Sequence, residues 1–135
     1  MAEEYEVFVE SSVRGYHEYF KYATVVVGDV LHCEVEENNQ YDKYAVAIKS
    51  ESNQTVGHVP IELSKLFCEF LADGGSLEAE CIGHRFNAGQ GKGLEIPVDY
   101  RLIGNKRYLK ILVRKLSEDL SVSAMRKCTT SQGDL

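Results

Sequence analysis

The feature that most constrains the fold is a series of short runs of β-branched and aromatic residues, separated by turn residues about every ten positions. Residues 5–10 alternate between apolar and polar side chains, as a half-buried strand does. A β-hairpin is predicted next, with strands at residues 25–27 and 30–35 joined by a tight turn at Gly28-Asp29. This pattern favours a small twisted sheet or barrel over a helical bundle.

Further strands and two helices complete the predicted order of elements. Strands are expected over residues 45–49, 55–59, 77–82 and 94–102, and the last two are joined by a glycine-rich loop at 87–93. Pro60 predicts the start of one helix, because a helix tolerates a missing N–H in its first turn. A second helix is predicted after Gly104-Asn105. The fold class is therefore mainly β within α+β, with one or two flanking helices.

The length of 135 residues fits one domain, which we place at residues 1–120, with residues 121–135 as a polar tail expected to be disordered. A composition of 44% hydrophobic and 27% charged residues is typical of a globular protein. The start, Met-Ala-Glu-Glu, does not look like a secretory signal, and no apolar run could span a membrane. We therefore expect an intracellular protein, nuclear or cytoplasmic, whose four cysteines are free thiols.

Charge is distributed unevenly along the chain. Residues 1–80 hold 5 basic and 16 acidic residues, a net charge of -11, whereas residues 81–135 hold 10 and 5, a net charge of +5. Six basic residues and no acidic one lie between Arg101 and Lys115. This strip either contacts an anionic partner or is a solvated helix face that balances the acidic half.

The motifs that would support catalysis or a cofactor are incomplete. A phosphate-binding P-loop needs a glycine five residues before its Gly-Lys pair and a hydroxyl after it, but Phe86 and Gly93 occupy those positions. The Cys81-x-x-His84 pair is not accompanied by the paired cysteine units of a structural zinc site. We therefore predict no enzyme activity, no cofactor and no metal.

Two motifs carry a family resemblance. The first is Asn-Asn-x-Tyr-Asp-Lys-x-Ala-Val at residues 38–46, and the second is Val-Gly-His-Val-Pro at residues 56–60. On the strength of these motifs, the chain resembles the HIRAN domain over about residues 15–102. That domain occurs at the front of helicase-like DNA translocases of the SWI2/SNF2 type and also alone. The resemblance implies an OB-like β-barrel that is not itself catalytic, so that any hydrolase activity would belong to a linked translocase domain absent here. It also implies DNA repair as the setting.

The resemblance further implies binding of single-stranded DNA, with the 3′ end as the feature gripped. Tyr41 falls where the family stacks a base, and Asp42 where it holds the terminal hydroxyl. His58 falls on the nucleic-acid face and Tyr19 matches an aromatic after Gly15. Basic help is expected from three residues, Lys43, Lys92 and Arg101.

The same positions allow a second interpretation. Glu18, Glu36 and Glu37 stand near the expected groove, where the family carries basic residues or proline, and carboxylates oppose a polyanion. Asp42 is also a common turn residue that caps its own backbone. The alternative is a protein-interaction module on the same barrel that has lost the DNA site. The sequence leaves the oligomeric state open.

Overall fold

The fold is an antiparallel sheet that curls into a barrel, with two helices packed on it. The computed structural model describes residues 3–21, 23–91 and 93–129. The elements are β1 (Tyr5–Val13), a 3₁₀ turn (Tyr16–Glu18), β2 (Val30–Val35), β3 (Val46–Lys49), β4 (Thr55–His58), α1 (Ile61–Ala72), β5 (Ser76–Cys81), β6 (Phe86–Asn87), β7 (Leu94–Gly104), α2 (Lys106–Lys115), β8 (Ser121–Val122) and β9 (Arg126–Lys127).

The strands follow the order β4-β3-β2-β5-β7-β1-β8, with β9 also pairing with β1 and β6 pairing with β7. Every pair is antiparallel, and the longest ladder joins β1 to β7 from Tyr5↔Gly104 to Val13↔Ile96. β4 lies at one end of this order and β1 near the other. The end of β1 is then brought back to β4, which gives the sheet its barrel-like shape.

A short seam makes that connection. The Arg14 N–H donates to the His58 carbonyl at 2.9 Å, and the His58 N–H donates to the Arg14 carbonyl at 2.8 Å. The Arg14 guanidinium also donates two hydrogen bonds to Glu62 of α1, at 2.7 and 2.6 Å. Close approach at the seam depends on Gly57, since a Cβ there would collide with the Arg14 carbonyl oxygen and the Val13 side chain.

The core lies between the inner face of the sheet and α1. Phe67 and Phe70 of α1 are fully buried, and the Phe67 ring meets the buried Tyr100 ring edge-on at 5.2 Å. Each large side chain removed from water in this way contributes about 1.5–3 kcal/mol. The Tyr100 hydroxyl donates to the Ser12 carbonyl at 2.5 Å, so its polar end is satisfied inside the core.

Both predicted helix starts are confirmed. α1 begins directly after Pro60, and α2 begins after Asn105, whose Oδ1 accepts a hydrogen bond from the Tyr108 N–H at 2.7 Å. α2 buries Leu109 and Leu112 against the sheet. None of the helices in the part of the chain described is long and apolar enough to cross a membrane.

The predicted hairpin is wrong in its first strand. Residues 25–27 are not in a strand, and Val26 and Val27 are 57% and 54% exposed. The reason lies in the pairing of β2, which pairs with β5 over Val30–His32 and with β3 over His32–Val35, so only its first two residues keep a free side for a hairpin partner. Gly28 instead donates its N–H to the Cys81 carbonyl at 2.8 Å.

The C-terminal region also differs from the prediction of a disordered tail. β8 and β9 pair with the edge of β1, at Val9↔Val122 and at Tyr5↔Lys127. The unpaired backbone groups of β1 provide partners for this segment. The later part of the predicted tail, from residue 130, lies outside the described residues.

Candidate nucleic-acid interface

The turn at residues 38–45 is built by its own side chains. Asn39 Oδ1 accepts hydrogen bonds from the Tyr41 N–H at 2.8 Å and the Asp42 N–H at 3.0 Å. Asp42 Oδ1 accepts one from the Tyr44 N–H at 2.9 Å. Such side-chain-to-backbone bonds fix the turn without a β-ladder. The result is a braced turn that presents the Tyr41 side chain at 87% exposure.

Asp42 also ties this turn to α1. Its Oδ2 accepts a hydrogen bond from the Ser64 hydroxyl at 2.9 Å, and Ser64 itself is buried. A carboxylate has about four lone-pair sites on its two oxygens, so these two bonds leave Asp42 able to accept another donor. The turn role foreseen for this residue is therefore compatible with a ligand role.

Glu36 joins the turn to the barrel seam. Its Oε1 accepts a hydrogen bond from the Asn39 amide at 2.7 Å and lies 3.1 Å from His58 Nε2. The Asn39 hydrogen bond lowers the pKa of Glu36; burial opposes this, and His58 adds to the lowering. An ionised carboxylate only accepts, so His58 Nε2 must carry the proton in this contact. Glu36 thus orients the imidazole.

Tyr19 completes the same surface from the other side of the seam. Its ring centre lies 6.4 Å from that of His58, with the two planes tilted by 51°. Burial raises the pKa of the Tyr19 phenol, and the charges of Glu18 and Glu36 raise it further. The phenol therefore stays protonated and remains a hydrogen-bond donor.

Two lysines flank the turn. Lys43 Nζ lies 5.1 Å from the centre of the Tyr44 ring, and Lys65 Nζ of α1 lies 5.6 Å from it. Lys43 was predicted as a site residue, whereas Lys65 and Ser64 were not. No local pattern points to them, because they reach the turn only through the packing of α1 beside it.

Arg101 lies apart from this group. Its guanidinium donates to Glu6 at 2.6 and 2.8 Å and to Glu78 at 3.1 Å. Its register partner in β1 is Phe8, which precedes Arg14 by six residues, about 20 Å of strand. The structure therefore brings together Tyr19, Tyr41, Asp42, Lys43 and His58 but does not bring Arg101 to them.

The glycine-rich loop holds the remaining predicted residue. Lys92 lies outside the described residues. Next to it, the backbone of Gly93 packs so closely against the His17 ring that a Cβ there would collide with the ring. His17 follows the Gly15 turn, so this loop borders the segment that carries Tyr19.

No group of three or more histidine, cysteine or acidic side chains with metal-site geometry occurs among residues 3–21, 23–91 and 93–129. The four cysteines are free; Cys81 is buried and the other three are partly buried. The turn at residues 38–45 combines an exposed aromatic ring, hydrogen-bonding groups and two nearby cations. These are the groups that can bind an anionic or aromatic ligand.

The chain was compared with known proteins. The HIRAN domain family model matches residues 5–100, so the match includes β1, which the resemblance from about residue 15 had left out. The crystal structure of the HIRAN domain of human HLTF is similar with a TM-score of 0.68 and 18% identity, covering 82% of this chain and 87% of that one. No curated protein matches the chain.

Two further solved structures share the fold. The HLTF HIRAN domain in its DNA-bound conformation, solved by NMR, has a TM-score of 0.57 and 19% identity, covering 78% of this chain and 82% of that one. A crystal structure of a Lactobacillus plantarum protein has a TM-score of 0.55 and 14% identity, covering 76% and 99%. The family match spans well over half of the 135 residues and the strand order suits the barrel expected of this family. The chain therefore belongs to the HIRAN domain family.

Proposed function

We propose that this domain is a non-catalytic module that binds single-stranded DNA at the braced turn. The observation that carries the proposal is Tyr41, a tyrosine with 87% of its surface exposed on a turn held by four side-chain hydrogen bonds. An exposed ring on a rigid turn is ready to stack on a base. Family membership and the DNA-bound conformation of the HLTF HIRAN domain support the same function.

Stacking and charge supply the affinity. A tyrosine face stacks on any base and contributes about 1–3 kcal/mol per base. Lys43 and Lys65 flank the turn, where they neutralise phosphates and release counterions. Tyr19 and His58 extend the surface across the seam, where each offers a ring to the strand and the Tyr19 phenol also offers a hydrogen-bond donor.

Asp42 would give a preference for 3′ ends. A terminal 3′-hydroxyl can donate a hydrogen bond to the Asp42 carboxylate, in addition to the two bonds that this carboxylate already accepts. An internal phosphodiester at the same place would bring two negative charges together, at a cost of about 1 kcal/mol or more near 4 Å. The side chain therefore favours an end over an internal segment.

A fluorescence anisotropy titration tests this proposal. A labelled single strand with a free 3′-hydroxyl is compared with the same strand ending in a 3′-phosphate. We expect Tyr41→Ala to weaken binding of the free-ended strand by about tenfold, whereas Tyr41→Phe keeps the ring and the affinity. Tyr5→Ala, at the far end of β1, is the control and leaves the affinity unchanged once its fold is verified.

The outcomes separate the parts of the proposal. Absence of binding by the unmodified domain at low salt contradicts nucleic-acid binding altogether. Equal affinity for both ends keeps the DNA function and removes the end-selective role of Asp42. Loss of affinity in Tyr41→Phe as large as in Tyr41→Ala shows that the hydroxyl, and not stacking, is what matters.

A protein-interaction role is the second candidate. Glu18 and Glu37 are exposed near the turn, and residues 1–80 carry a net charge of -11. These charges oppose a long polyanion but not a basic peptide. Failure of the domain to bind any single strand at low salt is the result that favours this role.

A further inference from the structure

The segment at residues 24–27, Thr-Val-Val-Val, has the composition of a β-strand but pairs with no strand. Its four residues are β-branched, and such residues are enriched in strands because they pack well on a pleated surface. The backbone N–H and C=O groups of Thr24, Val25 and Val27 make no hydrogen bond to any other described residue. Exposed backbone groups of this kind are a template on which another chain can pair.

The segment is held at both ends. The hydroxyl of the buried Tyr16 donates to the Ala23 carbonyl at 2.9 Å. The Val26 N–H donates to Asp29 Oδ2 at 3.0 Å, and the Val26 carbonyl accepts from the Asp29 N–H at 3.0 Å. Val25 is partly buried and packs against the core. A partner would therefore meet a preformed segment, which reduces the entropy lost on binding.

A cleft of about 460 Å³ separates this segment from residues 83–85. The cleft is lined by Thr24, Val25, Val26, Val27, Gly83, His84 and Arg85. The wall at residues 83–85 is also fixed, because the Cys81 thiol donates to the Gly83 carbonyl at 3.1 Å. Gly83 also packs closely on Pro97, whose Cγ would lie 3.0 Å from a Cβ at this glycine.

Exposed apolar side chains surround the cleft. Val26 and Val27 are exposed on one wall, and Ile82 and Phe86 are exposed at the two ends of the other. Isolated apolar side chains are common on protein surfaces, whereas several of them beside one concave site mark an interaction surface. The cleft therefore offers apolar contacts together with free backbone groups.

The charge at the cleft is positive. Arg85 has no carboxylate within 4.0 Å in residues 3–21, 23–91 and 93–129, and no acidic residue is among those that line the cleft. Asp29 holds the Val26 N–H, and Glu80 lines a separate cavity that includes Arg101. A carboxylate on the ligand would therefore complement Arg85.

We propose that this cleft binds an extended peptide, which adds a β-strand to the segment at residues 24–27 and places a carboxylate on Arg85. In this mode the main-chain hydrogen bonds give affinity, and contacts to alternate side chains give specificity. A nucleic-acid strand would need several cations along its path, whereas the cleft is lined by one arginine. The lining residues do not include Tyr19, Tyr41, Asp42 or His58, so the surface is separate from the proposed DNA site.

A set of designed peptides tests the proposal by fluorescence anisotropy. Each is a fluorescein-labelled peptide of about eight residues with blocked ends, in which Val and Thr alternate and a single Asp is moved through every position. The member that binds most tightly is then compared with two relatives. Methylation of its backbone nitrogens along one edge or the other should weaken binding about tenfold for the edge that pairs. Asn in place of Asp should weaken it about threefold, as for an exposed ion pair.

Paired variants of the exposed apolar side chains locate the contact. Val26→Ser with Val27→Ser removes the apolar wall and should weaken binding of the best peptide about tenfold. Ile61→Ser with Ile111→Ser removes two exposed apolar side chains of α1 and α2, outside the cleft, and should leave the affinity unchanged. Circular dichroism verifies that both double variants are folded.

A second pair of variants tests the charge. Arg85→Gln should weaken the Asp peptide about threefold and leave the Asn peptide unchanged, because only the Asp peptide has a carboxylate to lose its partner. Arg107→Gln, at an exposed position of α2, is the control and should change neither affinity.

Four results would overturn the proposal. The first is that no peptide of the set binds at low salt. The second is that methylation along either edge leaves the affinity unchanged, which means that no β-pairing occurs. The third is equal weakening by the two double variants of apolar residues. The fourth is that Arg85→Gln weakens binding of a labelled single strand while no peptide binds, which assigns the cleft to nucleic acid. Tyr41→Ala, which tests the DNA site, should leave peptide binding unchanged, and a loss there would contradict two separate surfaces.

Discussion

At the scale of single residues, Asp42 shows how one side chain can serve structure and ligand together. One carboxylate oxygen closes the turn onto the Tyr44 N–H, and the other holds the Ser64 hydroxyl of α1. Substituting Asp42 itself would therefore disturb the turn as well as the proposed contact with a 3′-hydroxyl. The contribution of this carboxylate to the stability of the turn is therefore measured by substituting its partner, Ser64.

Ser64→Ala isolates that structural contribution. We expect the free energy of unfolding to fall by about 1 kcal/mol, because one hydrogen bond to a charged acceptor is lost while water can still reach the half-buried Asp42. Urea denaturation monitored by circular dichroism measures the change. Ser52→Ala, at an exposed turn, is the control, and equal stability of the two variants would show that the Ser64 bond contributes nothing.

The sequence was informative about residues within the turn and silent about those that reach it from elsewhere. Asp42 is a typical turn residue, and the prediction that it bonds to the nearby backbone is confirmed; Asn39, another typical turn residue, does the same. Ser64 and Lys65 lie more than twenty residues away along the chain, and only the packing of α1 brings them near. A contact of that kind depends on the tertiary fold, which no local pattern encodes.

At the scale of secondary-structure elements, the meeting of β1 and β4 depends on one glycine. Gly57→Ala would drive a methyl group into the Arg14 carbonyl oxygen and the Val13 side chain. We expect a loss of about 1–3 kcal/mol in the free energy of unfolding, as for other overpacked sites, or more if the seam opens.

Thermal unfolding of two matched variants checks this. Gly89 also has a positive φ, but a Cβ added there would meet open space. Gly89→Ala therefore carries backbone strain without the collision. Gly57→Ala should therefore have the lower melting temperature. If Gly89→Ala is equally destabilised, backbone conformation and not the close approach of β1 and β4 determines the requirement for glycine.

The elements also show where pattern reading succeeds. Pro60 and Asn105 mark helix starts by local chemistry, so both helices were predictable. Residues 25–27 are β-branched and suit a strand equally well, yet β3 and β5 already pair with most of β2 and leave a hairpin partner a free side only at its first two residues. A strand needs a partner as well as a propensity, and the supply of free edges is a property of the whole sheet.

At the scale of the whole molecule, Glu6 connects the C-terminal segment to the barrel. This buried carboxylate on β1 pairs with Arg101 of β7 at 2.6 Å and with Arg126 of β9. Burial opposes its ionisation, but the hydrogen bonds from the two arginines outweigh that effect and hold the pKa of Glu6 below its usual value. Its stabilising effect is therefore fully present above about pH 4.5 and is lost as the pH falls through the lower pKa of the folded state.

Glu6→Gln tests this link. At neutral pH we expect the free energy of unfolding to fall by about 2 kcal/mol, less than for a fully buried pair because Arg126 is largely exposed. The difference from the unmodified domain should shrink as the pH falls below about 4.5 in a series of urea titrations. Glu3→Gln, which removes an exposed pair with Lys127, is the control and should change stability less. A Glu6→Gln deficit that stays constant down to pH 3 would contradict the role assigned to its charge.

The two-bond seam has a consequence for motion. Among residues 3–21, 23–91 and 93–129, two backbone hydrogen bonds between Arg14 and His58 join the end of β1 to β4, so the seam can open locally while the long β1–β7 ladder stays intact. We expect these two amides to exchange with deuterium faster than those of Val9 or Val98 in the ladder. Tyr19 and His58 stand on opposite sides of this opening. A single strand of DNA that contacts both side chains would hold the seam closed. Slower exchange at the Arg14 and His58 amides would therefore report DNA binding even where the DNA touches neither amide.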